Sequence, residues 1–119
     1  MLSALGAQVL RLEAPAAGDY TRHWPPMIGA HGAMFHVLNR GKLSVSLDLR
    51  KDEGREVFHR LVPGKDVLLE GFRPGTLARM GIDPADLRRD HPRLVVCSIT
   101  GYGQDGPRSA RAGHDLNYE

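Results

Sequence analysis

Hydrophobic and polar positions along this chain fall into short alternating runs separated by helical spacings. Residues 7–13 (AQVLRLE) alternate around Val9, Leu10 and Leu12 and predict a short strand. Residues 1–6 before it read as the end of a helix closed by Gly6. Residues 43–49 (LSVSLDL) alternate strictly, which predicts a strand with Leu43, Val45, Leu47 and Leu49 on one face. Residues 52–62 then set Val57, Phe58, Leu61 and Val62 at helical spacing. Asp52 and Glu53 lie in the first turn, where carboxylates meet the positive end of the helix dipole, and Pro63-Gly64 stops the helix. Residues 66–70 (DVLLE) are a short apolar strand. Pro74 opens a helix that Gly81 closes, and Asp83 caps the next one with Pro84 at its first position. Residues 94–99 (LVVCSI) form a continuous apolar run of the kind buried on both faces of a parallel sheet.

The order strand, helix, strand, helices, strand predicts an α/β fold: a Rossmann-like parallel sheet with flanking helices. Residues 14–41, rich in Pro, Gly, Ala and His and without a sustained period, read as a long loop with a helical turn around residues 34–38. A loop of that length within a compact domain is most often functional. Ligands of open parallel sheets bind beyond the carboxyl ends of the strands. Two segments fall there, Glu70-Gly71-Phe72-Arg73-Pro74-Gly75 and Thr100-Gly101-Tyr102-Gly103.

Composition narrows the classes. A length of 119 residues suits one small domain, and 41% hydrophobic with 25% charged residues is globular rather than disordered. No apolar run reaches the roughly 18 residues of a membrane span. The opening has neither a basic n-region nor a small-residue cleavage site, so no secretory signal is expected. The single cysteine, Cys97, excludes an intrachain disulfide and fits a reducing, cytoplasmic setting. A net charge of +2, spread along the chain, suits a small anionic ligand and argues against nucleic acid.

Three segments could carry chemistry. His114, followed by Asp115, could exchange a proton near neutrality, although neighbouring residues of a strand point apart and a local His-Asp pair is more often a helix cap. In EGFRPG, Gly71 permits close backbone approach, while Arg73 and Arg79 could meet phosphate oxygens; the plain alternative is a turn with two solvated arginines. TGYGQDG has alternate glycines after a strand but leads into Pro107 instead of a helical pattern, so it is a poor dinucleotide-binding turn. The six histidines show no metal-ligand spacing, and neither a P-loop nor a G-x-S-x-G elbow is present.

Taken together, LGAQVLRLE, NRGKLSVSLDLRKDEGREVFHRLV, DVLLEGFRPGTLARMGI, HPRLVVCSITGYGQDGP and AGHDLNY, in that order, resemble the CoA-transferase family III (CaiB/BaiF) superfamily over nearly the whole chain. The resemblance implies a nucleotide-binding α/β domain, of which residues 1–119 would be an N-terminal part truncated at both ends, in a parent that forms an interlocked homodimer. It implies an acyl-CoA substrate, with a carboxylic acid acceptor in the transferase branch, and no metal. It also implies CoA contacts from Leu47, Asp48, Leu49 and Arg50 at the adenine and ribose end, from Gly71, Phe72 and Arg73 at the strand-end turn, and from Arg79 at the phosphates. Some members carry an arginine just after the strand's acid, where this chain has Ala14-Pro15.

The ending AGHDLNY is similar to the α-methylacyl-CoA racemase branch. That implies His114 as one of two acid/base groups flanking the α-carbon of a 2-methylacyl-CoA. The thioester eases removal of the α-proton, and the enolate then needs hydrogen-bond donors. In the transferase branch an aspartate attacks the acyl-CoA instead. The resemblance places the key aspartate of both branches beyond Glu119, so the isolated chain is expected to be inactive. Epimerisation is the leading expectation, with CoA transfer and a non-catalytic CoA-binding module as alternatives.

Overall fold

The computed structural model describes residues 1–16 and 18–113, which form two compact units, Met1–Gly54 and Arg55–Glu119. In the first unit a 3-10 turn, Leu2–Leu5, ends at Gly6 in the left-handed region (φ 95°), the expected helix end in tighter form. Strand β1, Leu10–Glu13, pairs in parallel with β4, Leu43–Ser46, in the register Leu10 with Leu43 through Glu13 with Ser46. Between them the chain is far from structureless. It forms a second 3-10 turn (Tyr20–His23), a two-residue ladder of β2 (Met27–Ile28) with β3 (His31–Gly32), and helix α1 (Ala33–Asn39).

The ordering of this segment is steric and polar rather than apolar. A Cβ on Gly32 would lie 2.3 Å from the Trp24 carbonyl oxygen and 2.4 Å from that of Thr21, so only glycine lets β3 pass the 3-10 turn. Periodicity is blind to such packing. Strand β4 is also shorter than the alternation of residues 43–49 predicts. Leu43, the first residue of the apolar face, is 72% exposed.

The buried hydrophobic core belongs to the second unit. Helix α2, Asp52–Leu61, carries the buried Phe58, and Val62 follows one turn on. Pro63-Gly64 then turns the chain, with Gly64 at φ 78°. Strand β5, Val67–Glu70, pairs in parallel with β6, Val95–Ser98, Glu70 lying opposite Ser98. Helix α3, Thr76–Arg79, starts after Gly75 (φ 73°), because Pro74-Gly75 forms a turn instead of the first helical residues. In α4, Pro84–Asp90, the Asp83 carboxylate accepts from the Ala85 N–H at 2.7 Å with Pro84 in the first turn, the expected cap. Leu77, Ile82, Leu87 and Leu94 complete the core.

The run 94–99 is not buried on both faces. Leu94 is buried, yet Val95 is 59% and Ile99 60% exposed, since within this unit β6 pairs with β5 alone and one face of the ladder is open. No helix among the described residues is long and apolar enough to cross a membrane.

Ile82 has no exposed surface. It follows the α3 stop, where its N–H donates to the Leu77 carbonyl at 3.1 Å. Ile82→Ala is expected to cost about 3 kcal/mol through lost burial and the cavity left behind, read as a lower midpoint in urea unfolding with an unchanged slope.

Candidate functional site

The segments that follow β4 and β5 are tight turns whose carboxylates organise the backbone; the first was marked only by the resemblance, the second also by its place beyond a strand end. After β4 the Leu47 N–H donates to the Glu13 carbonyl at 2.9 Å, extending the parallel ladder by one bond. Asp48 then folds the chain over itself. Its Oδ1 accepts from the Arg50 N–H at 3.1 Å and from Arg50 Nε at 2.9 Å, and its Oδ2 accepts from Arg50 Nη2 at 3.1 Å. The Arg50 side chain and its N–H hold the Asp48 carboxyl below its ordinary range. A Cβ on Gly54 would stand 1.9 Å from the Asp48 carbonyl oxygen, so the first turn of α2 can approach this turn only through a glycine. Asp48 thus fixes the guanidinium of Arg50, which remains 75% exposed.

After β5, Glu70 Oε2 accepts from the Phe72 N–H at 2.8 Å and closes the turn through Gly71. Ile99 N–H donates to the Glu70 carbonyl at 2.8 Å, so the turn and the segment after β6 leave from the same carboxyl edge of one ladder. Gly71, Phe72 and Arg73 are exposed there. Arg79 is the last residue of α3, but its side chain returns to the helix start. Its Nη2 donates to Thr76 Oγ1 at 2.8 Å, and its Nη1 lies 3.1 Å from the point where a Cβ of Gly75 would stand. An exposed guanidinium held at a strand-to-helix turn suits a phosphate. Gly71 differs from expectation: a Cβ there would meet only the Ile99 carbonyl, at 3.9 Å, so the chain's own backbone makes no close approach. Beyond β6 the chain runs in bends and turns through the described residues and forms no helix, consistent with the broken glycine pattern.

Leu47, Asp48, Leu49 and Arg50 therefore belong to the first unit, and Gly71, Phe72, Arg73 and Arg79 to the second. His114 lies outside the described residues. No group of three or more metal-ligating side chains occurs among the described residues.

Sequence reasoning missed a third assembly, centred on Glu13. This side chain is 6% exposed at the end of β1, and both its oxygens are occupied. Oε1 accepts from Arg22 Nη2 at 2.8 Å and from Ser44 Oγ at 2.7 Å. Oε2 accepts from Arg22 Nε at 2.8 Å and from the Asp19 N–H at 2.9 Å. The two-pronged Arg22 contact, aided by Ser44 and the Asp19 N–H, outweighs burial and lowers the carboxyl from 4.5 to about 2. The Arg22 guanidinium also lies 3.9 Å over the Phe35 ring. Asp19, buried at the start of the second 3-10 turn, accepts from the Thr21 N–H at 2.9 Å and pairs with Arg11. Burial by itself would raise the Asp19 carboxyl, but the Thr21 N–H and the Arg11 charge leave it lowered. Asn39 joins the set, its Oδ1 accepting from Arg11 and from Lys42 Nζ, the latter at 3.0 Å. A strand ending in an acid, followed nine residues later by an arginine, was the only signal in the sequence.

The profile of CoA-transferase family III matches residues 1–119. Succinyl-CoA:glutarate CoA-transferase of Homo sapiens is 41% identical over 96% of this chain and 26% of that protein. Succinate--glutarate CoA-transferase of Agrobacterium fabrum is 44% identical over 97% of this chain and 30% of that protein. The crystal structure of a CAIB/BAIF family protein from Brucella suis superposes with a TM-score of 0.88 at 44% identity, covering 97% of this chain and 32% of that one. The chain thus spans about a quarter to a third of the length of the relatives it matches.

The lowered Glu13 carboxyl stabilises the fold fully above its ordinary value of 4.5, and that contribution is lost as the pH falls toward about 2. Glu13→Gln is expected to destabilise at pH 7, because the amide takes away one of the two acceptors and the charge that hold Arg22 and turns a donor toward the donors around it. It should also flatten the dependence of thermal midpoint on pH between about 4.5 and 2 relative to the unsubstituted protein; parallel pH-dependent melts measure both effects.

Proposed function

The chain belongs to CoA-transferase family III, and from that membership we propose that the protein moves coenzyme A from an acyl-CoA donor to a free carboxylic acid, with small dicarboxylates as acceptors. The observation that carries this reading is the identity of 41% and 44% to two enzymes named for exchange between succinate and glutarate. It favours transfer over the epimerisation expected from the ending AGHDLNY. That ending still supports epimerisation through His114 as a second reading.

In the transfer reading the described residues bind and orient the acyl-CoA. Arg79, held against Thr76, supplies a fixed guanidinium for the phosphates. Gly71, Phe72 and Arg73 line the turn that Glu70 closes, and exposed backbone at a strand end suits a ligand that lies along it. Leu47, Asp48, Leu49 and Arg50 take the adenine and ribose end. Asp48 orients Arg50 there, so a cation is supplied from that turn in a chain that has Ala14 after its strand acid. The family resemblance puts the attacking carboxylate of the transfer outside residues 1–119. The lone thiol, Cys97, fits a cytoplasmic setting, and an interlocked homodimer is the assembly we assign to the parent.

The test supplies the protein with succinyl-CoA and glutarate and follows glutaryl-CoA by chromatography, alongside a 2-methylacyl-CoA in D₂O followed by NMR. Glutaryl-CoA formation without α-deuteration is the expected result. α-Deuteration that is lost in His114→Ala, with no transfer, would overturn the reading in favour of epimerisation. Arg79→Gln is expected to raise KM for the acyl-CoA about tenfold or more, the worth of one charge-assisted contact. Gly71→Ala should raise the same KM while leaving the thermal midpoint unchanged, because the added methyl meets only the Ile99 carbonyl at 3.9 Å.

A further inference from the structure

Apart from the turns assigned to the acyl-CoA, the first unit contains a groove of about 270 Å³ beside the Glu13 network. Phe35 and Leu43 give it apolar walls, while Asn39, Arg40, Lys42 and His36 bring polar groups to it. The cations nearest its floor are already neutralised, Arg22 by Glu13 and Arg11 by Asp19. The remaining two are not. Lys42 Nζ donates at 3.0 Å to Asn39 Oδ1, a neutral acceptor that fixes the ammonium without cancelling its charge. Arg40 is exposed and makes no ion pair among the described residues.

Two uncompensated cations beside an apolar wall complement an anion attached to a short hydrocarbon. A phosphate would use the charge but leave the Phe35 and Leu43 surface idle, and a neutral acyl chain would use only the wall. We propose that this groove binds a small aliphatic carboxylate, with Arg40 and Lys42 meeting the carboxylate and Phe35 and Leu43 covering the methylenes. Naming the acceptor acid as its natural occupant rests on the transfer reading above; the carboxylate site itself does not.

Isothermal titration calorimetry of the full-length protein with glutarate, in the absence of any CoA compound, tests this directly. The expected result is saturable binding that weakens at least tenfold in Arg40→Gln and in Lys42→Gln and is largely recovered in Arg40→Lys, with thermal melts confirming that each variant folds. Equal glutarate affinity in Arg40→Gln and the unsubstituted protein would overturn the proposal. So would binding of inorganic phosphate at the same site with no binding of glutarate. Arg40-dependent glutarate binding in a protein that transfers no CoA would retire the transfer reading and leave this site standing. Transfer activity with Arg40-independent glutarate binding would do the reverse.

Discussion

A carboxylate withdrawn from water at the end of a strand sets the terms for the whole first unit. Glu13 is nearly inaccessible, and a lone buried charge of that kind would cost several kcal/mol. The fold meets it with four hydrogen bonds from three different parts of the chain: Arg22, the Asp19 backbone and Ser44. Each donor has a structural consequence. The Asp19 N–H fixes where the chain turns after β1, Arg22 draws the second 3-10 turn back over the strand, and Ser44 ties in the neighbouring strand. Arg22 then reaches Phe35, which anchors α1. A segment with almost no apolar periodicity is thereby ordered by electrostatics together with the close packing at Gly32, and the side chains buried in and beside it are polar: Glu13, Asp19 and Thr21.

The second unit has the opposite balance. Its buried side chains are hydrophobic, supplied by α2, α3, α4 and the residue leading into β6, and its polar organisation is confined to turns and caps. This contrast explains how much of the fold could be read from the sequence. Helix α2 is legible because Phe58 and Val62 recur at four residues and Pro63-Gly64 ends the run. Helix α4 is legible because Asp83-Pro84 writes its own start. The parallel pairings follow from the order of strands and helices, although the structure realises them as two-stranded ladders, β1 with β4 and β5 with β6. Residues 14–41 were illegible because their order comes from one acid, one arginine and a glycine with no room for a methyl, none of which leaves a period.

The candidate site was legible in a different way. The segments beyond the strand ends were identifiable from general rules about parallel sheets, but the local sequence left their chemistry open between phosphate binding and plain solvated turns. What the structure adds is that the guanidinium of Arg79 is held by Thr76, and that of Arg50, a residue marked only by the resemblance, by Asp48. In each case a neighbour within three residues fixes an exposed cation, which reduces the entropy lost when an anion binds. The structure also alters the reading of Gly71, because the demand for a missing side chain does not come from inside the molecule. The basic groove had no sequence signature, since Arg40 and Lys42 are ordinary surface residues until α1 and β4 bring them beside Phe35.

These features share one electrostatic logic. Cations that hold the fold together, Arg11 and Arg22, are matched by buried carboxylates and are not available to a ligand. Cations at the positions proposed for ligands have weaker or more exposed partners: Arg79 a hydroxyl, Lys42 an amide, Arg50 a carboxylate in an exposed turn. A hydroxyl or amide orients a cation while leaving its charge unspent, so the attraction is reserved for whatever anion arrives. A net charge of only +2 thus understates the chain's capacity for anions, because the negative charges are not spread evenly over the positive ones. Those that are buried neutralise the scaffold, and Arg79 and Lys42, held by neutral partners, keep their charge for the anions proposed above.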